Sequence, residues 1–411
     1  MSATEGPGLR ERIAPDEADA ILAEAIPRYT PVTLPLAKCR GRILRGEIRA
    51  DRAQPPFDRV AMDGIAFAFS AWERGLRSFA VEGAQKAGEK PRKLKSDQGC
   101  LEVMTGAVLP AGTDCIAPVE DISVADGRAE LAARYGDAVP YRFVHREGVD
   151  CAAGDVLVPE GTRLEAPHLG AAASCGYAGL PVAESPSVAV VATGDELVDV
   201  GRMPLPHQIR RSNPHAIEAA LRKRYIERVA LLHCRDDAAR LRFTLEGVLG
   251  KCQALILTGG VSMGQTDHVP AVLKDLGVRP LFHRIMQKPG KPFWFGVAAG
   301  GRPVFGLPGN PASVLVCLHR YVLPALLRAQ GSPRPLHVPV VTAEAMGAPG
   351  KLTQFRPATF AWDEEGRMLA KWAKHQGSGD FTGWARAEGF VEIPAGDAAV
   401  PAGKVLRAWR W

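Results

Sequence analysis

The sequence has no uninterrupted apolar run of the roughly 18 residues that a membrane-spanning helix needs, so we predict no contact with a membrane. The first 14 residues mix Glu, Arg, Pro and Gly and lack the apolar core of a secretory signal, which predicts a cytoplasmic protein. Its eight cysteines include no Cys-x-x-Cys pair and no histidine at zinc-ligand spacing, so we expect reduced, mostly buried thiols. Low-complexity tracts and fixed-period repeats are also missing, which excludes a solenoid.

Neither sign of charge is concentrated in one part of the chain. The 51 Lys and Arg residues and 45 Asp and Glu residues give a net charge of +6, and the two signs are interspersed. A nucleic-acid-binding protein usually masses its basic residues in a patch or stripe, so this class is disfavoured. A small anionic ligand suits the slight excess of positive charge.

A length of 411 residues predicts two to four domains. Short apolar runs broken by Gly and Pro predict β-rich structure up to about residue 180, and alternating strands and helices after Pro186 predict a parallel sheet. The predicted fold class is therefore α/β multidomain, with a doubly wound parallel-sheet domain, β-rich N-terminal domains and a small C-terminal β-barrel-like domain. The predicted limits are a linking domain over 1–45 and 146–182, an inserted β-rich domain over 46–145, the α/β domain over 183–330 and the C-terminal β domain over 332–411.

Three carboxylates follow predicted strands or lie in the loops after them. Ligands collect at the carboxyl ends of parallel strands, where the loops after strands 187–193, 254–258 and 304–307 should form one rim. Glu196, Asp236 and Asp267 fall in this region. Each alone is more often a helix cap, but carboxylates beside phosphate oxygens are the usual ligands of Mg²⁺, so together they predict a metal-assisted phosphate or oxyanion site.

Two turns on the same rim have both a ligand-binding and a structural interpretation. Gly259, Gly260, Ser262 and Gly264 would let a phosphate approach the backbone, but they also suit a tight strand-to-helix turn. Pro308, Asn310 and Pro311 could line a pocket, although Asn310 is equally a good N-cap. By the same logic, Asn213 is predicted to cap a helix that begins at Pro214, and Asp236 and Asp237 are predicted to begin a helix over 238–249.

Two lysines, Lys288 and Lys291, lie on a stiff Lys-Pro-Gly-Lys-Pro turn just before a predicted strand. An oxyanion clamp is the favoured interpretation, and a solvated hairpin turn is the alternative. Near the C-terminus, the segment 376–380 contains Ser378 and could be an anion-binding turn or only a hairpin.

The N-terminal half contributes a few more polar candidates. Asp58 and Asp63 lie in a loop-like segment, where a turn or a salt bridge between domains would explain them in most proteins. Thr105 offers a hydroxyl beside the flexible Gly106. Pattern alone assigns none of these residues a function.

Taken together and in order, the motifs resemble the molybdopterin molybdenumtransferase (MoeA/gephyrin) family over nearly the whole chain. The matching segments are PPFDRVAMDGIAF, MTGAVLPAGTD, REGVDCAAGD, TGDEL, SNPHAI, LTGGVSMGQTDHV, KPGKPFWFG, LPGNPASV and HQGSGDF. Any one of them could arise by chance, whereas nine in the family's order could not plausibly do so.

The resemblance implies a molybdopterin-binding α/β domain and a homodimer whose cleft lies between the α/β domain of one subunit and the N-terminal region of the other. Its chemistry is transfer: adenylylated molybdopterin and molybdate bind with Mg²⁺, the dithiolate captures molybdenum, and AMP is released. Matching positions imply catalytic roles for Asp58, Thr105, Asp150, Glu196, Asp236, Asp267, Lys288, Lys291 and Ser378, of which Glu196, Asp236 and Asp267 would hold the metal. They imply substrate binding by Asp63, Gly259, Gly260, Ser262, Gly264, Pro308, Asn310 and Pro311.

The chain departs from the family pattern at five positions, namely Arg59, Val60, Ile65, His268 and Glu388. A bulky cation at position 59 is expected to alter how Asp58 is presented. Because of these departures, one alternative is that the chain is a divergent paralogue that acts as a cofactor carrier or scaffold. A second alternative is molybdopterin adenylyltransferase, although that activity needs little beyond the α/β domain.

The resemblance also suggests molybdopterin adenylyltransferase and molybdoenzyme maturation factors as partners. No residue distinguishes molybdate from tungstate.

Overall fold

The computed structural model describes residues 9–261 and 268–411. The chain forms two compact units. The first comprises the chain up to Gly46, residues 160–165 and residues 179–411, and the second comprises residues 47–159 and 166–178.

In chain order, the first helices and strands belong to the first unit, the next belong to the second unit, and the remaining ones belong to the first unit again. The first unit opens with β1 (Arg10–Ile13), α1 (Pro15–Ala25) and β2 (Pro31–Pro35). The second unit contains β3 (Ile48–Arg49), β4 (Arg59–Val60), β5 (Gly64–Phe67), α2 (Phe69–Glu73), β6 (Ser78–Gln85), β7 (Gly99–Val103), β8 (Cys115–Pro118), β9 (Ile122–Ala125), β10 (Arg128–Leu131), β11 (Val144–His145), β12 (Val156–Val158) and α3 (Ala166–Ser174).

The rest of the first unit holds an α/β domain and a terminal β domain. The α/β domain is built from β13 (Gly179–Ala183), β14 (Val188–Thr193), β15 (Leu197–Val198), β16 (Ile209–Arg210), α4 (Asn213–Arg222), β17 (Val229–Cys234), α5 (Ala238–Leu249), β18 (Ala254–Thr258), α6 (Val269–Asp275), β19 (Arg279–Ile285), β20 (Gln287–Lys288), β21 (Trp294–Ala298), β22 (Arg302–Leu307), α7 (Pro311–Cys317), a π-helical turn (Leu318–Val322) and α8 (Leu323–Ala329). The terminal domain has β23 (His337–Thr342), β24 (Thr353–Trp362), β25 (Met368–Trp372), α9 (Phe381–Ala385), β26 (Gly389–Ile393) and β27 (Val405–Arg410).

The α/β domain is organised around a seven-stranded sheet with the order β1-β19-β21-β22-β18-β14-β17. Strands β22, β18, β14 and β17 are mutually parallel, and every residue of β14 and β18 is buried. Burial along the whole strand is typical of a parallel sheet covered on both faces, which confirms the predicted α/β domain. The other half of the sheet is antiparallel around β21, because the connection from β19 over residues 286–293 is shorter than the dozen residues a parallel crossover needs.

The C-terminal domain is a closed barrel of five strands, which confirms the predicted barrel-like fold. Neighbouring strands follow the order β24-β25-β23-β27-β26, and β26 pairs again with β24 to close the ring. Strand β20 of the α/β domain adds alongside β24, with Gln287 opposite Thr353. This pairing brings the start of the Lys-Pro-Gly-Lys-Pro turn against the barrel.

The continuous helix Pro311–Ala329 forms the centre of the first unit's core. It is long and apolar enough to cross a membrane by length and composition, but 83% of its most apolar window is buried inside the protein. That burial is typical of a core helix, and its side chains pack against α1, α4 and the sheet.

A buried ion network joins this helix to its surroundings. Arg320, in the π-helical turn, is 4% exposed and donates to both carboxylate oxygens of Asp19 in α1, at 2.8 and 2.7 Å. Its Nε donates to Glu392 in β26 at 3.0 Å, and Glu392 is equally buried. One guanidinium therefore ties the barrel and the N-terminal helix to the α/β domain.

The second unit is built on a six-stranded sheet with the order β8-β5-β7-β6-β10-β9. Phe67 and Phe79 pack in its core with ring centroids 4.7 Å apart. All eight cysteines of the chain are free thiols, and all but Cys151 are buried, as the sequence predicts.

Candidate functional site

The first of two adjoining cavities in the first unit lies at the carboxyl ends of the parallel strands. It has a volume of about 480 Å³, and we call it the rim cavity. Six residues predicted for the site line it, namely Glu196, Asp236, Gly259, Gly260, Asn310 and Pro311. They come from the loops after β14, β17, β18 and β22, so the structure confirms that these loops converge.

The second cavity lies between the Lys-Pro-Gly-Lys-Pro turn and the barrel. It has a volume of about 520 Å³, and we call it the lysine cavity. Its predicted lining residues are Lys288, Lys291, Pro308, Asn310 and Ser378. Asn310 lines both cavities, so the two cavities are adjacent.

Two asparagines connect the loops of this region, and neither side chain makes the helix-capping bond that the sequence predicts for Asn213 and allows for Asn310. Asn310 occupies the N-cap position of α7, but its side chain makes no capping bond and instead donates to the Ser378 hydroxyl at 2.9 Å. Asn213 is the first residue of α4, whose N-cap is Ser212, and its amide donates to the Gly309 carbonyl at 2.8 Å. Each side chain therefore forms a hydrogen bond with another loop and not with the N–H groups at the start of its own helix. Helix α5 does begin at a side-chain cap, since Asp237 accepts from the Arg240 N–H at 2.8 Å.

The glycine turn after β18 has a clear packing requirement. A Cβ atom on Gly259 would lie 2.6 Å from the Thr193 carbonyl oxygen, and Gly259 has a φ of +91°. The turn therefore has to pass directly against the end of β14, which supports the tight-turn interpretation. Gly259 and Gly260 also line the rim cavity, so the phosphate-binding interpretation stays a prediction for these two residues.

The lysine cavity contains a third cation that the sequence did not single out. Arg356 on β24 lines it beside Lys288 and Lys291, and its Nε donates to Gln354 at 3.2 Å. Arg356 lies in an alternating strand pattern, where an arginine normally marks a solvated face, so no local signal could have identified it. Three cations around one cavity give it strong positive potential and suit an oxyanion.

Aromatic and neutral polar groups complete the lysine cavity. His375 stacks on Trp384 with ring centroids 6.4 Å apart, and both line the cavity. Burial, together with nearby Arg356, lowers the pKa of His375 below its ordinary 6.5, so the ring is neutral at pH 7. His375, Trp384 and the buried Ser313 all line the cavity, and no local pattern in the sequence marks them as lining residues.

The segment 376–380 is a helix-capping turn. Asp380 accepts from the N–H groups of Gln376 and Gly383 at 2.8 and 2.9 Å and from the Thr382 hydroxyl at 2.8 Å. These hydrogen bonds, led by that of Gly383, lower the pKa of Asp380 to about 2. The turn holds Ser378 within the lysine cavity.

The metal prediction has two of its three carboxylates in place. Glu196 and Asp236 line the rim cavity, whereas Asp267 lies outside the described residues. Within the described ranges, no group of three or more His, Cys, Asp or Glu side chains is placed to hold a metal ion. The predicted substrate-binding residues Ser262 and Gly264 also lie outside the described residues.

The second unit carries the remaining predicted acids, and each has a partner there. Asp58 accepts from Arg146 at 3.1 Å and from the Glu147 N–H at 2.8 Å. Asp63 accepts from both the hydroxyl and the N–H of Thr105, at 2.7 and 2.6 Å, and these bonds lower its pKa.

Asp150 pairs instead with His145 at 2.9 Å, and the other ring nitrogen of His145 lies 3.0 Å from Arg59. The Arg59 side chain thus contacts His145, whereas the Asp58 carboxylate is held by Arg146 and the Glu147 N–H, so no direct contact between the Arg59 and Asp58 side chains supports the expectation that Arg59 alters how Asp58 is presented. Two further departures, Val60 and Ile65, are fully buried in the second unit and act as packing residues.

Comparison with known families gives three matches that together cover most of the chain. Residues 13–176 match the MoeA N-terminal region (domain I and II). Residues 189–328 match a probable molybdopterin binding domain, and residues 339–411 match the MoeA C-terminal region (domain IV).

Individual relatives are similar over almost their full length. A molybdopterin molybdenumtransferase of Synechocystis is 35% identical over 94% of this chain and 96% of its own. One from Haemophilus influenzae is 30% identical over 95% of this chain and 96% of its own. The crystal structure of a molybdopterin biosynthesis MoeA protein from Pyrococcus horikoshii is 28% identical, has a TM-score of 0.79 and covers 97% of this chain and 99% of its own.

Proposed function

The chain belongs to the molybdopterin molybdenumtransferase (MoeA) family, and on that premise we propose that it inserts molybdenum from molybdate into adenylylated molybdopterin and releases AMP. The observation that carries the proposal is the pair of adjoining cavities that share Asn310. The rim cavity has two carboxylates, a glycine turn and two arginines, Arg210 and Arg211, and the lysine cavity has three cations. A nucleotide phosphate and a metal oxyanion are the two ligand classes that these surroundings favour.

The lysine cavity suits molybdate because that ion is a tetrahedral dianion. Lys288, Lys291 and Arg356 supply the opposing charge, and the Ser378 hydroxyl, fixed by Asn310, supplies a neutral hydrogen-bonding group. Charge-assisted hydrogen bonds from such groups are roughly twice as strong as neutral ones. In this proposal these four residues bind and orient the oxyanion.

The rim cavity fits Mg²⁺ together with a substrate phosphate. Mg²⁺ is usually held by one or two carboxylates plus phosphate oxygens and water, and Glu196 and Asp236 both line the cavity. When bound there, Mg²⁺ would offset the negative charge that develops as the phosphoanhydride breaks. Asp267 would be a third ligand, as the resemblance implies.

The chain itself supplies position and charge, and it needs no nucleophile. The sulfurs of the pterin dithiolate and an oxygen of molybdate can make the new bonds. The residues around both cavities hold the two substrates close together, so the reaction occurs between bound substrates and does not require an encounter in solution. Asn310 is central here, since its side chain connects the α7 loop to the Ser378 turn.

We further propose a homodimer in which the second unit of one subunit completes the site of the other. Asp58, Asp63, Thr105 and Asp150 would act in this way, as the family resemblance implies. Mixing the variants Asp58→Ala and Glu196→Gln tests this idea, because mixed dimers would contain one intact site. Recovery of activity on mixing is expected, and its absence would contradict shared sites.

The test of the proposed reaction is AMP release from adenylylated molybdopterin, with and without molybdate and Mg²⁺. We expect AMP only when both are present, and we expect Lys288→Ala to lose this molybdate-dependent release. Binding of the substrate without any AMP release would instead favour a carrier. Formation of adenylylated molybdopterin from ATP would favour an adenylyltransferase.

A further inference from the structure

Three buried side chains lie directly beneath the turn formed by residues 288–292. Gln287 and Cys317 are fully buried and Tyr321 is 1% exposed, and we call these three residues the platform. A Cβ atom on Gly290 would lie 2.6 Å from Gln287 Nε2 and 2.8 Å from Cys317 Sγ, so the turn rests on the platform without a gap.

The platform binds two successive carbonyl oxygens of the turn. Gln287 Nε2 donates to the Pro289 carbonyl at 3.1 Å, and Cys317 Sγ donates to the Gly290 carbonyl at 3.6 Å. The Tyr321 hydroxyl donates in turn to Gln287 Oε1, which fixes the orientation of the amide. Both carbonyls therefore face the protein interior.

The two N–H groups in the same peptide planes must face the opposite way. The peptide bonds Pro289–Gly290 and Gly290–Lys291 are both trans, and in a trans peptide the C=O and N–H point in opposite directions. The N–H groups of Gly290 and Lys291 consequently point away from the platform. Among the hydrogen bonds of the described residues neither N–H has an acceptor, and both residues line the lysine cavity.

Burial keeps the platform donors protonated. It raises the pKa of Cys317 and that of Tyr321 well above their ordinary values, so the thiol and the hydroxyl retain their protons throughout the physiological range. The platform therefore presents the same donors to the turn at every working pH.

We infer that Gln287, supported by Tyr321 and Cys317, is a positioning residue that turns the N–H groups of Gly290 and Lys291 into the lysine cavity, where they bind the oxyanion. Successive backbone N–H groups in a turn form a concave anion site, and here they would add to the charges of the two lysines and Arg356. The inference rests on the proposed function, since it assigns the platform a role in oxyanion binding. Gln287 also lines the lysine cavity, but in this proposal its side-chain amide is engaged by the Pro289 carbonyl and the Tyr321 hydroxyl and not by the substrate.

Calorimetric titration of the full chain with sodium molybdate tests the inference. Gln287→Met keeps the volume but removes both hydrogen-bonding atoms, and it should raise the molybdate Kd by about tenfold, the loss expected when a charge-assisted hydrogen bond is misaligned. Cys317→Ala should also weaken binding, whereas Cys317→Ser, which keeps a donor, should recover most of it. Gln330→Met is the matched control, because Gln330 is equally buried and lies away from both cavities.

Kinetics separate positioning from a general loss of structure. In the AMP-release assay, Gln287→Met should raise the KM for molybdate, while kcat at saturating molybdate stays within about twofold of the wild type. If Gln287→Met does not fold, Tyr321→Phe decides the question, since it removes only the hydroxyl that orients the Gln287 amide.

The outcomes distinguish this inference from the proposed function. If the wild type binds molybdate and Lys291→Ala weakens that binding, but the platform variants bind as the wild type does, the inference is overturned and the proposed function stands. If the wild type binds no molybdate, both are overturned. Equal effects of Gln287→Met and Gln330→Met would also overturn the inference.

Discussion

Replacing Arg320 with methionine removes a buried guanidinium of the core helix that contacts both helix α1 and the barrel. Met keeps an unbranched apolar stem and removes the guanidinium. Glu392, which is only 4% exposed, would then lose its close partner and keep only the more distant Arg407, at 3.9 Å. Asp19, which is more exposed, can be hydrated instead and should contribute less to the cost.

The expected cost is about 3 kcal/mol, the lower end of the range for breaking a buried ion pair by removing one partner. The lower end applies because Arg407 retains part of the attraction. The cost should depend on pH. Burial already raises the pKa of Glu392 above its ordinary 4.5, and loss of Arg320 would raise it further. A folded pKa above the unfolded value penalises the charged form, so the destabilisation should be largest at pH 7 and diminish as the pH falls towards 4.5.

Urea denaturation followed by tryptophan fluorescence measures this cost. Six of the seven tryptophans, all except Trp72, lie in the first unit, so the signal reports mainly on that unit. Arg367→Met is the matched control, because Arg367 is a solvent-exposed barrel arginine whose ion pairs should contribute less than about 1 kcal/mol.

A second consequence concerns the lysine cavity. If the ion network holds the barrel in place, Arg320→Met should also weaken molybdate binding, since Arg356 and Ser378 belong to the barrel. A cost below about 1 kcal/mol at pH 7, or a cost that grows as the pH falls, would refute the reasoning about an uncompensated buried carboxylate.

Three further predictions concern the two cavities. Glu196→Gln and Asp236→Asn should each lower the rate of AMP release by about 100-fold, because each removes a preorganised charge at the phosphate. Glu388→Gln should leave the rate unchanged. Chromatographic quantification of AMP measures these rates. Arg356→Gln should raise the molybdate Kd by about tenfold and flatten its dependence on salt, as titrations at two ionic strengths would detect. Sulfate binding to the lysine cavity should tighten as the pH falls below 6.5, because protonation of His375 adds a positive charge, and His375→Gln should abolish that change.

The helices and strands of the α/β domain could be predicted closely from the sequence. The predicted strand over 254–258 and the predicted helix over 238–249 have the same limits in the structure. Local signals determine both, since an unbroken apolar run specifies a strand buried on both faces and Asp237 specifies the start of the helix. The antiparallel half of the sheet could not be foreseen from strand and helix alternation, because it depends on which distant strands pair.

The contacts of the site residues were less predictable than their identities. Asp58 pairs with Arg146, 88 residues later in the chain, and Arg356 reaches the lysine cavity only because β20 pairs with β24. No local pattern encodes either contact. Residue type predicted that Lys288 and Lys291 bind an anion, but the third cation and the platform become visible only in the folded chain.

Asn310 and Asn213 illustrate why the structural interpretation of a motif can fail even when its geometry is correct. Asparagine is favoured at helix starts because its side chain can satisfy a free N–H, and both residues lie at helix starts. The same amide can equally bind a neighbouring loop, and here Asn310 binds Ser378 while Asn213 binds the Gly309 carbonyl. The helix ends then forgo a stabilising side-chain cap of about 1 kcal/mol each. A helix start without its available cap indicates that the side chain has another role, and here that role is to hold together the loops that separate the rim cavity from the lysine cavity.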